Sequence, residues 1–342
     1  NCKINTPIPV GGYYIMKDFY RLLKASKNQT TKFALATIIH VKGSAYRHQG
    51  AKMLFGEDGS QYGTISAGCL EEDLAHQAKQ VINSMESKIM TYDLRSEDDL
   101  SWGQGTGCNG QIDIYIEFFS REDPLWNRIE NSLDSGNTIA RAKCIRGNLK
   151  QKSLFFYNNH CEEFSDTNTN LKNALRPHIK KLMNEKKSST EVIHLPHFKS
   201  DFLLEVYEPK DTLYVFGAGP DVEPFVELAN QLDFSITIID PRHSRCNNHH
   251  FPQANQLIVE HPENYLMKTN IPTDSYVCIM THNFQRDQKI LQHFIKNPPK
   301  YLGILGPKDR TKRLLETDKI PDWIHSPIGL NINAEGPYEI AI

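Results

Sequence analysis

The sequence predicts an α/β protein with an N-terminal α+β part and a C-terminal doubly wound parallel sheet. Three observations carry that prediction. Residues 213–219 run from an apolar strand into Gly-Ala-Gly and on into a helical pattern. From there to residue 305, strand-like and helix-like segments alternate, the pattern of βαβ units. Ahead of residue 121, strand-like runs predominate and are interrupted by one long amphipathic stretch.

Length and composition set the frame. A chain of 342 residues exceeds one ordinary core, and 39% hydrophobic residues supply enough apolar material for more than one. Three regions are expected: an N-terminal domain over 16–120, an intermediate subdomain over 121–208, and a nucleotide-binding-type domain over 209–342. Lys+Arg 39 against Asp+Glu 41 leaves a net charge of -2, so no global positive field is available for nucleic acid or an anionic membrane. No apolar run reaches the roughly 20 residues of a membrane span, and Asn1–Ile15 lacks the basic-then-apolar layout of a signal peptide. A cytoplasmic location is expected. The seven cysteines are an odd number without CxxC pairs, so reduced thiols are expected rather than a zinc site or a disulfide scaffold.

In chain order, Asn1–Ile15 reads as an extension, and a helix begins at Met16 with Phe19, Leu22 and Leu23 on one face. Phe33–Val41 is a strand. Ala51–Phe55 and Gln61–Ile65 are short strands joined by Glu57-Asp58-Gly59, and Cys69 opens a helix that runs to about Met85. Strands Lys88–Leu94 and Ile112–Phe118 flank a glycine-rich loop, Ser101–Gly110. The intermediate region carries a helix over Pro124–Asp134, strands over Thr138–Ile145 and Ser153–Tyr157, and a basic helix over Leu171–Lys186.

Asp211–Asp240 reads as strand, glycine turn, helix and strand, the Rossmann fingerprint. Gly217 permits the tight turn, and Gly219 lets backbone N–H groups approach a pyrophosphate at the helix N-terminus. Asp240, at the end of the second strand, is placed to accept from a ribose. Two features depart from the fingerprint: Val222 stands at its third position, and Pro220 removes an N–H donor from the turn. Further strands end at Thr281-His282 and at Gly306-Pro307-Lys308, so His282, Asp287, Gly306, Lys308 and Arg310 are expected to ring the crevice. His282 reads equally as a capping or buried residue, and Arg242 reads as a ligand for phosphate or for a neighbouring carboxylate.

Two cysteines lie among glycines: Cys69 after Gly68, and Cys108 after Gly107. A cysteine at a helix N-terminus has a dipole-stabilised thiolate, which makes Cys69 a candidate nucleophile, persulfide carrier or soft-metal ligand. The alternative is a small residue packed beside Gly68. Cys108 sits where backbone N–H groups can form an anion nest or merely a turn. Arg47 and His48, in the loop before a strand, add a cation and an imidazole suited to an anionic cofactor or to the surface.

Taken together, Tyr46–Met53, Gly63–Glu71, Gly105–Gly110, the Gly217 fingerprint, Asp240-Pro241-Arg242, Met280-Thr281-His282, Gly303–Gly306 and Pro327–Leu330 resemble the XdhC/CoxI family of xanthine dehydrogenase accessory proteins. The sequence departs from that pattern at Pro220, where the family often has His, and at Gln49, where Pro is common. The resemblance implies an XdhC/CoxI-type N-terminal domain and a C-terminal Rossmann-like domain. It also implies binding of molybdenum cofactor and its delivery, in sulfurated form, to a xanthine dehydrogenase-type molybdenum hydroxylase. On this reading the protein is a cofactor-binding chaperone, with Cys69 and Cys108 near the molybdenum of the cargo. A cysteine desulfurase is a further expected partner, and a homodimer is expected by analogy. The competing expectations are an NAD(P)-dependent oxidoreductase using Asp240 and His282, and a scaffold whose Rossmann domain, empty of ligand, docks partners.

Overall fold

The computed structural model describes residues 17–28, 31–66, 68–95, 109–149, 152–157, 169–184, 190–330 and 332–342. Its contacts divide the chain once, into a unit ending at Pro209 and a unit beginning at Lys210. No helix among the described residues is long and apolar enough to cross a membrane.

The first unit opens with α1 (Lys17–Ala25), followed by β1 (Lys32–Ser44), β2 (Lys52–Gly56), β3 (Gln61–Gly63), α2 (Glu71–Ser84), β4 (Lys88–Asp93) and β5 (Asn109–Ser120). These strands form an antiparallel sheet in the order β3-β2-β1-β5-β4. The second half of the unit contains α3 (Pro124–Asp134), β6 (Ile139–Gly147), β7 (Ser153–Tyr157), α4 (Thr169–Asn184), β8 (Thr190–Leu195) and β9 (Ser200–Tyr207). Its sheet is antiparallel, in the order β7-β6-β9-β8. Asp123 caps α3 by accepting from the Leu125 N–H at 2.9 Å, with Pro124 supplying a first-turn residue that needs no partner.

The period-two alternation of each strand assigns its faces. Ala34, Ala36 and Ile38 of β1, with Ile112, Ile114 and Ile116 of β5, pack under Leu74, Ala78 and Val81 of α2. Ala140, Ala142 and Cys144 of β6, with Phe202, Leu204 and Val206 of β9, pack under Leu171, Leu175 and Ile179 of α4. The opposite faces of the two sheets meet through Ile39 and Tyr115 on one side and Ile145 and Leu203 on the other.

Charge lies between those faces. Arg141 donates to both oxygens of Glu117 at 2.6 Å, and Lys52 donates to Thr37 at 2.9 Å and pairs with Glu205. The Tyr207 hydroxyl donates to Glu205 at 2.8 Å, and Arg141 lies 3.5 Å from the same carboxylate. Burial by itself would raise the Glu117 carboxyl, but the Arg141 guanidinium outweighs it and holds the group below its ordinary value. Removing one member would strand a buried charge, at roughly 3–5 kcal/mol. The region expected as an intermediate subdomain is thus tied to the N-terminal sheet by ionic as well as apolar contacts.

Several boundaries differ from the sequence expectation. The helix expected to open at Cys69 begins at Glu71. Strand β5 starts at Asn109, and Gly110 pairs with Gly43, where a Cβ would sit 2.6 Å from the Ser44 carbonyl oxygen. This glycine of the Ser101–Gly110 run therefore serves strand pairing. Strands β8 and β9 were not expected; β9 is buried on both faces apart from half-buried Asp201, so it shows no alternation, and the charge of Glu205 masks its apolar run.

The second unit carries β10 (Thr212–Phe216), α5 (Val222–Gln231), β11 (Ser235–Ile239), β12 (Gln256–Ile258), α6 (Pro262–Lys268), β13 (Tyr276–Ile279), α7 (Phe284–Lys296), β14 (Tyr301–Ile304), α8 (Lys308–Leu315), β15 (Ile324–His325) and α9 (Pro337–Ala341). The strands are parallel in the order β12-β11-β10-β13-β14-β15. Numbered within the unit, that is 3-2-1-4-5-6, the Rossmann order, whose switch point falls between β10 and β13. Val226 and Ala229 of α5 pack on one face of the sheet, and Ile290, Leu291 and Phe294 of α7 pack on the other.

Candidate functional site

Each unit places a glycine turn between a strand and a helix, and in each an acidic residue decides what the turn can hold.

In the first unit the turn is Gly63–Leu70, ahead of α2. Glu71, the first helical residue, folds back onto it. Its Oε1 accepts from the N–H of Ser66 at 2.7 Å, and its Oε2 accepts from the N–H groups of Gly68 at 3.1 Å and Leu70 at 3.2 Å. The Ser66 hydroxyl also donates to Glu71. Burial would raise the Glu71 carboxyl, but these hydrogen bonds, led by the Ser66 hydroxyl, outweigh it and hold the group below its ordinary value. Cys69 is half-buried between the two N–H groups that Glu71 accepts, one residue before the helix N-cap Leu70. The residues on either side of Cys69 are thereby hydrogen-bonded to one carboxylate. The helix terminus beside it carries Glu71, Glu72 and Asp73, so the dipole there faces carboxylates as well as the thiol. Gly68 has φ +106, and a Cβ built on it meets none of the described residues within 4 Å.

Arg47 and His48 lie in the turn between β1 and β2, Arg47 half-buried and His48 exposed. Ala45, at the start of that turn, and Cys69 pack against the same apolar core under α2. Gln49 donates to the Thr190 carbonyl at 3.3 Å, which ties the turn to β8. Gly107 and Cys108 lie outside the described residues, so the expected place of Cys108 near the molybdenum of the cargo does too.

In the second unit the turn is Gly217–Asp221. Gly217 has φ +123, and a Cβ there would lie 2.3 Å from the Met280 carbonyl oxygen, so β10 and the end of β13 approach as closely as only glycine allows. Asp240 is buried, and protein groups occupy both its oxygens. The Ala218 N–H donates at 3.0 Å, the Arg242 N–H at 2.8 Å, and the Arg242 guanidinium at 2.9 and 2.7 Å. The Arg242 side chain is therefore on a carboxylate, and the oxygens expected to take a ribose already have donors. Burial would raise Asp240, but these bonds, led by that of Arg242, hold it below its ordinary value.

Asp221 stands at the N-cap of α5 without capping it. Its Oδ2 lies 2.8 Å from Nε2 of His282, so the pair spans the switch point from the α5 terminus to the end of β13. His282 takes a left-handed backbone, φ 56. A Cβ on Gly219 would lie 2.3 Å from Asp221 Oδ1, which puts a carboxylate over the glycine that a pyrophosphate would approach. With Pro220 lacking an N–H and Glu223 in the first turn of α5, these residues do not fit a dinucleotide diphosphate.

Beyond that bridge, the ends of β13 and β14 border a crevice of about 260 Å³ lined by Met280, His282, Asp287, Gly306 and Arg310 among others. Asp287, 2% exposed, accepts from Thr281 Oγ1 at 2.5 Å and from Arg310 Nη2 at 2.6 Å. Lys308 lines a separate depression of about 1030 Å³ with Lys312 and residues 324–330. In that segment the Ile328 N–H donates to the Ile304 carbonyl at 3.0 Å, and Ile328 crowds the Cα of Gly303. Sequence reasoning missed the roles of Glu71 and Asp221. An acid in a helix first turn reads as a favourable dipole partner, and nothing in its spacing says that it folds back or reaches across.

Fold and site define a two-unit protein: a thiol held on an antiparallel scaffold, and a Rossmann sheet whose phosphate terminus is bridged by an Asp–His pair. A family model described as the XdhC Rossmann domain matches residues 213–342, and one described as the XdhC and CoxI family matches residues 26–93. The chain belongs to the XdhC and CoxI family. It is 35% identical to a protein of Bacillus subtilis described as a probable xanthine dehydrogenase subunit, over 96% of this chain and 95% of that protein. It is similar to a crystal structure of a xanthine dehydrogenase from Bacillus halodurans, with a TM-score of 0.76 and 37% identity over 94% of this chain and 92% of that one. It is 22% identical to the molybdenum cofactor insertion chaperone PaoD of Escherichia coli, over 90% of this chain and 80% of that protein.

Proposed function

We propose that this chain binds molybdenum cofactor as cargo and delivers it, in sulfurated form, to a xanthine dehydrogenase-type molybdenum hydroxylase. The observation that carries the reading is the half-buried Cys69, held on the turn that Glu71 ties down, beside a glycine that no described residue crowds. A thiolate is the soft donor that molybdenum or a terminal sulfur calls for, and a turn already hydrogen-bonded to Glu71 lowers the cost of ordering it. Arg47 and His48, whose turn borders the same core, supply donors for an anionic cargo. Similarity over 80% of the length of a protein described as a molybdenum cofactor insertion chaperone, at 22% identity, supports the same role. A cysteine desulfurase and a molybdenum hydroxylase are the partners this role requires, and a homodimer is proposed as the form that carries it out.

The test is purification from a host that makes the cofactor, with bound pterin quantified as its fluorescent oxidation product. Wild type should retain pterin, and Cys69→Ala should lose it while keeping its melting temperature. Pterin-free wild type would overturn the cargo role, and undiminished pterin in both Cys69→Ala and Cys108→Ala would remove the thiols from it. The oxidoreductase reading rests on strand order alone, since Asp240 and the α5 terminus are engaged within the protein.

A further inference from the structure

We propose that the crevice at the C-terminal ends of β13 and β14 is a subsite for a phosphate monoester, held by Arg310. It lies away from the α5 terminus, where a Rossmann sheet ordinarily seats a diphosphate.

Arg310 is oriented before any ligand arrives. Nη2 donates to buried Asp287 at 2.6 Å, and the guanidinium lies over the Phe284 ring at 5.8 Å. Its other terminal nitrogen, Nη1, is buried and makes no hydrogen bond among the described residues. A charged donor left unmade inside a protein is unfavourable, and an oxyanion at the crevice wall would relieve it. Nη1 lies beside Gly306: a Cβ on that residue, whose φ is +116, would stand 4.0 Å from Nη1 and 3.2 Å from Cδ of Arg310. Glycine thus keeps a side chain out of the space next to the guanidinium.

Charge and size specify the ligand. In the first turn of α7 and along α8, both of which start at this end of the sheet, Arg286, Lys308, Arg310, Lys312 and Arg313 stand against Asp287 and Asp309, an excess of cations in a chain whose net charge is -2. At about 260 Å³ the crevice falls below the roughly 300–1,000 Å³ of pockets that enclose whole drug-sized ligands, so it takes a headgroup rather than a dinucleotide. Asp221, bridged to His282 at the rim, repels a second phosphate reaching toward α5. The class that satisfies these constraints is a single terminal phosphate on an organic body that extends outward, either a nucleoside monophosphate or a phosphorylated pterin.

The inference does not depend on the thiol turn and is tested without cofactor. The ³¹P line width of inorganic phosphate, followed against full-length protein at constant ionic strength, should report binding at millimolar concentration. Arg310→Gln should weaken it at least tenfold, whereas Arg313→Gln, which also stacks on Phe284 at 5.4 Å, should leave it unchanged. Because Arg310→Gln leaves the Asp287 carboxylate unpaired, the double variant Arg310→Gln/Asp287→Asn serves where the single one does not fold. Competition then separates the sources: adenosine monophosphate binding more tightly than phosphate assigns a nucleotide, and a pterin bearing a methyl phosphate doing so assigns a pterin. Wild type that does not broaden the phosphate line, or equal binding by a folded Arg310 variant, overturns the proposal. Neither outcome bears on pterin retention through Cys69.

Discussion

The two glycine turns look alike in sequence: strand, glycines, then a helix with acid at its start. They differ in where the acid goes. Glu71 turns inward and accepts the N–H groups of Ile65, Ser66, Gly68 and Leu70 in its own turn, so the first turn becomes a hydrogen-bonded mount for a side chain. Asp221 reaches outward to His282 and lies over Gly219, so the second turn is covered where it would meet a phosphate. A glycine turn ahead of a helix supplies donors and space, but the nearest carboxylate decides whether an anion can use them.

The same substitution in both turns should break the likeness most sharply. Gly217→Ala forces a Cβ to 2.3 Å from the Met280 carbonyl at φ +123. It should cost roughly 3 kcal/mol, combining backbone strain with a clash that cannot relax cheaply. Gly68→Ala carries strain at φ +106 but meets none of the described residues, and should cost about 1 kcal/mol. Urea midpoints of the two variants measure the gap. Equal losses would show that the switch-point approach of β10 and β13 is not what requires glycine.

Between those two in size stands Glu71→Gln, which keeps the shape but replaces a charged acceptor by an amide that accepts at one atom only. A loss of about 2 kcal/mol is expected, with pterin retention falling alongside it. The carboxyl is held below its ordinary 4.5, so its contribution is present above that value and disappears as pH falls through the lower folded value. Wild-type stability should therefore drop below about pH 4.5 more steeply than that of Glu71→Gln, as acid titrations of the two would show. Parallel acid limbs would mean that the clamp does not depend on charge.

What the sequence revealed follows from the range of each interaction. The parallel sheet was legible because its strands and helices carry periodic apolar patterns, as in β10, α5 and β11, and its fingerprint glycines are local. The packing of β6 to β9 against the N-terminal sheet was not. It rests on Glu117, Arg141, Lys52 and Glu205, charged residues distant in sequence that look exposed until the strands pair. The candidate residues were legible by type, and Arg242 also by partner, since a neighbouring carboxylate is one of its two sequence readings. Asp240 was seen as a ribose acceptor because its bond to the Ala218 N–H, 22 residues away, leaves no trace in spacing.

The smallest effect concerns the Asp221–His282 bridge. The His282 side chain is 58% exposed, so the pair contributes to stability no more than about 0.5 kcal/mol, and Asp221→Asn should barely move the melting temperature. Its effect on ligands should be larger than its effect on folding. A carboxylate within a few ångströms of a diphosphate opposes binding by a few kcal/mol at an intermediate dielectric, so neutralising it should tighten ADP at least about tenfold. Pro220 would still withhold one donor, which limits the gain. Calorimetric titration of ADP against wild type and Asp221→Asn makes the measurement. A gain would show that the acid, more than the altered glycine pattern, closes the Rossmann terminus. Unchanged affinity would place the obstacle in Pro220, and Pro220→Gly in the same titration should then restore it.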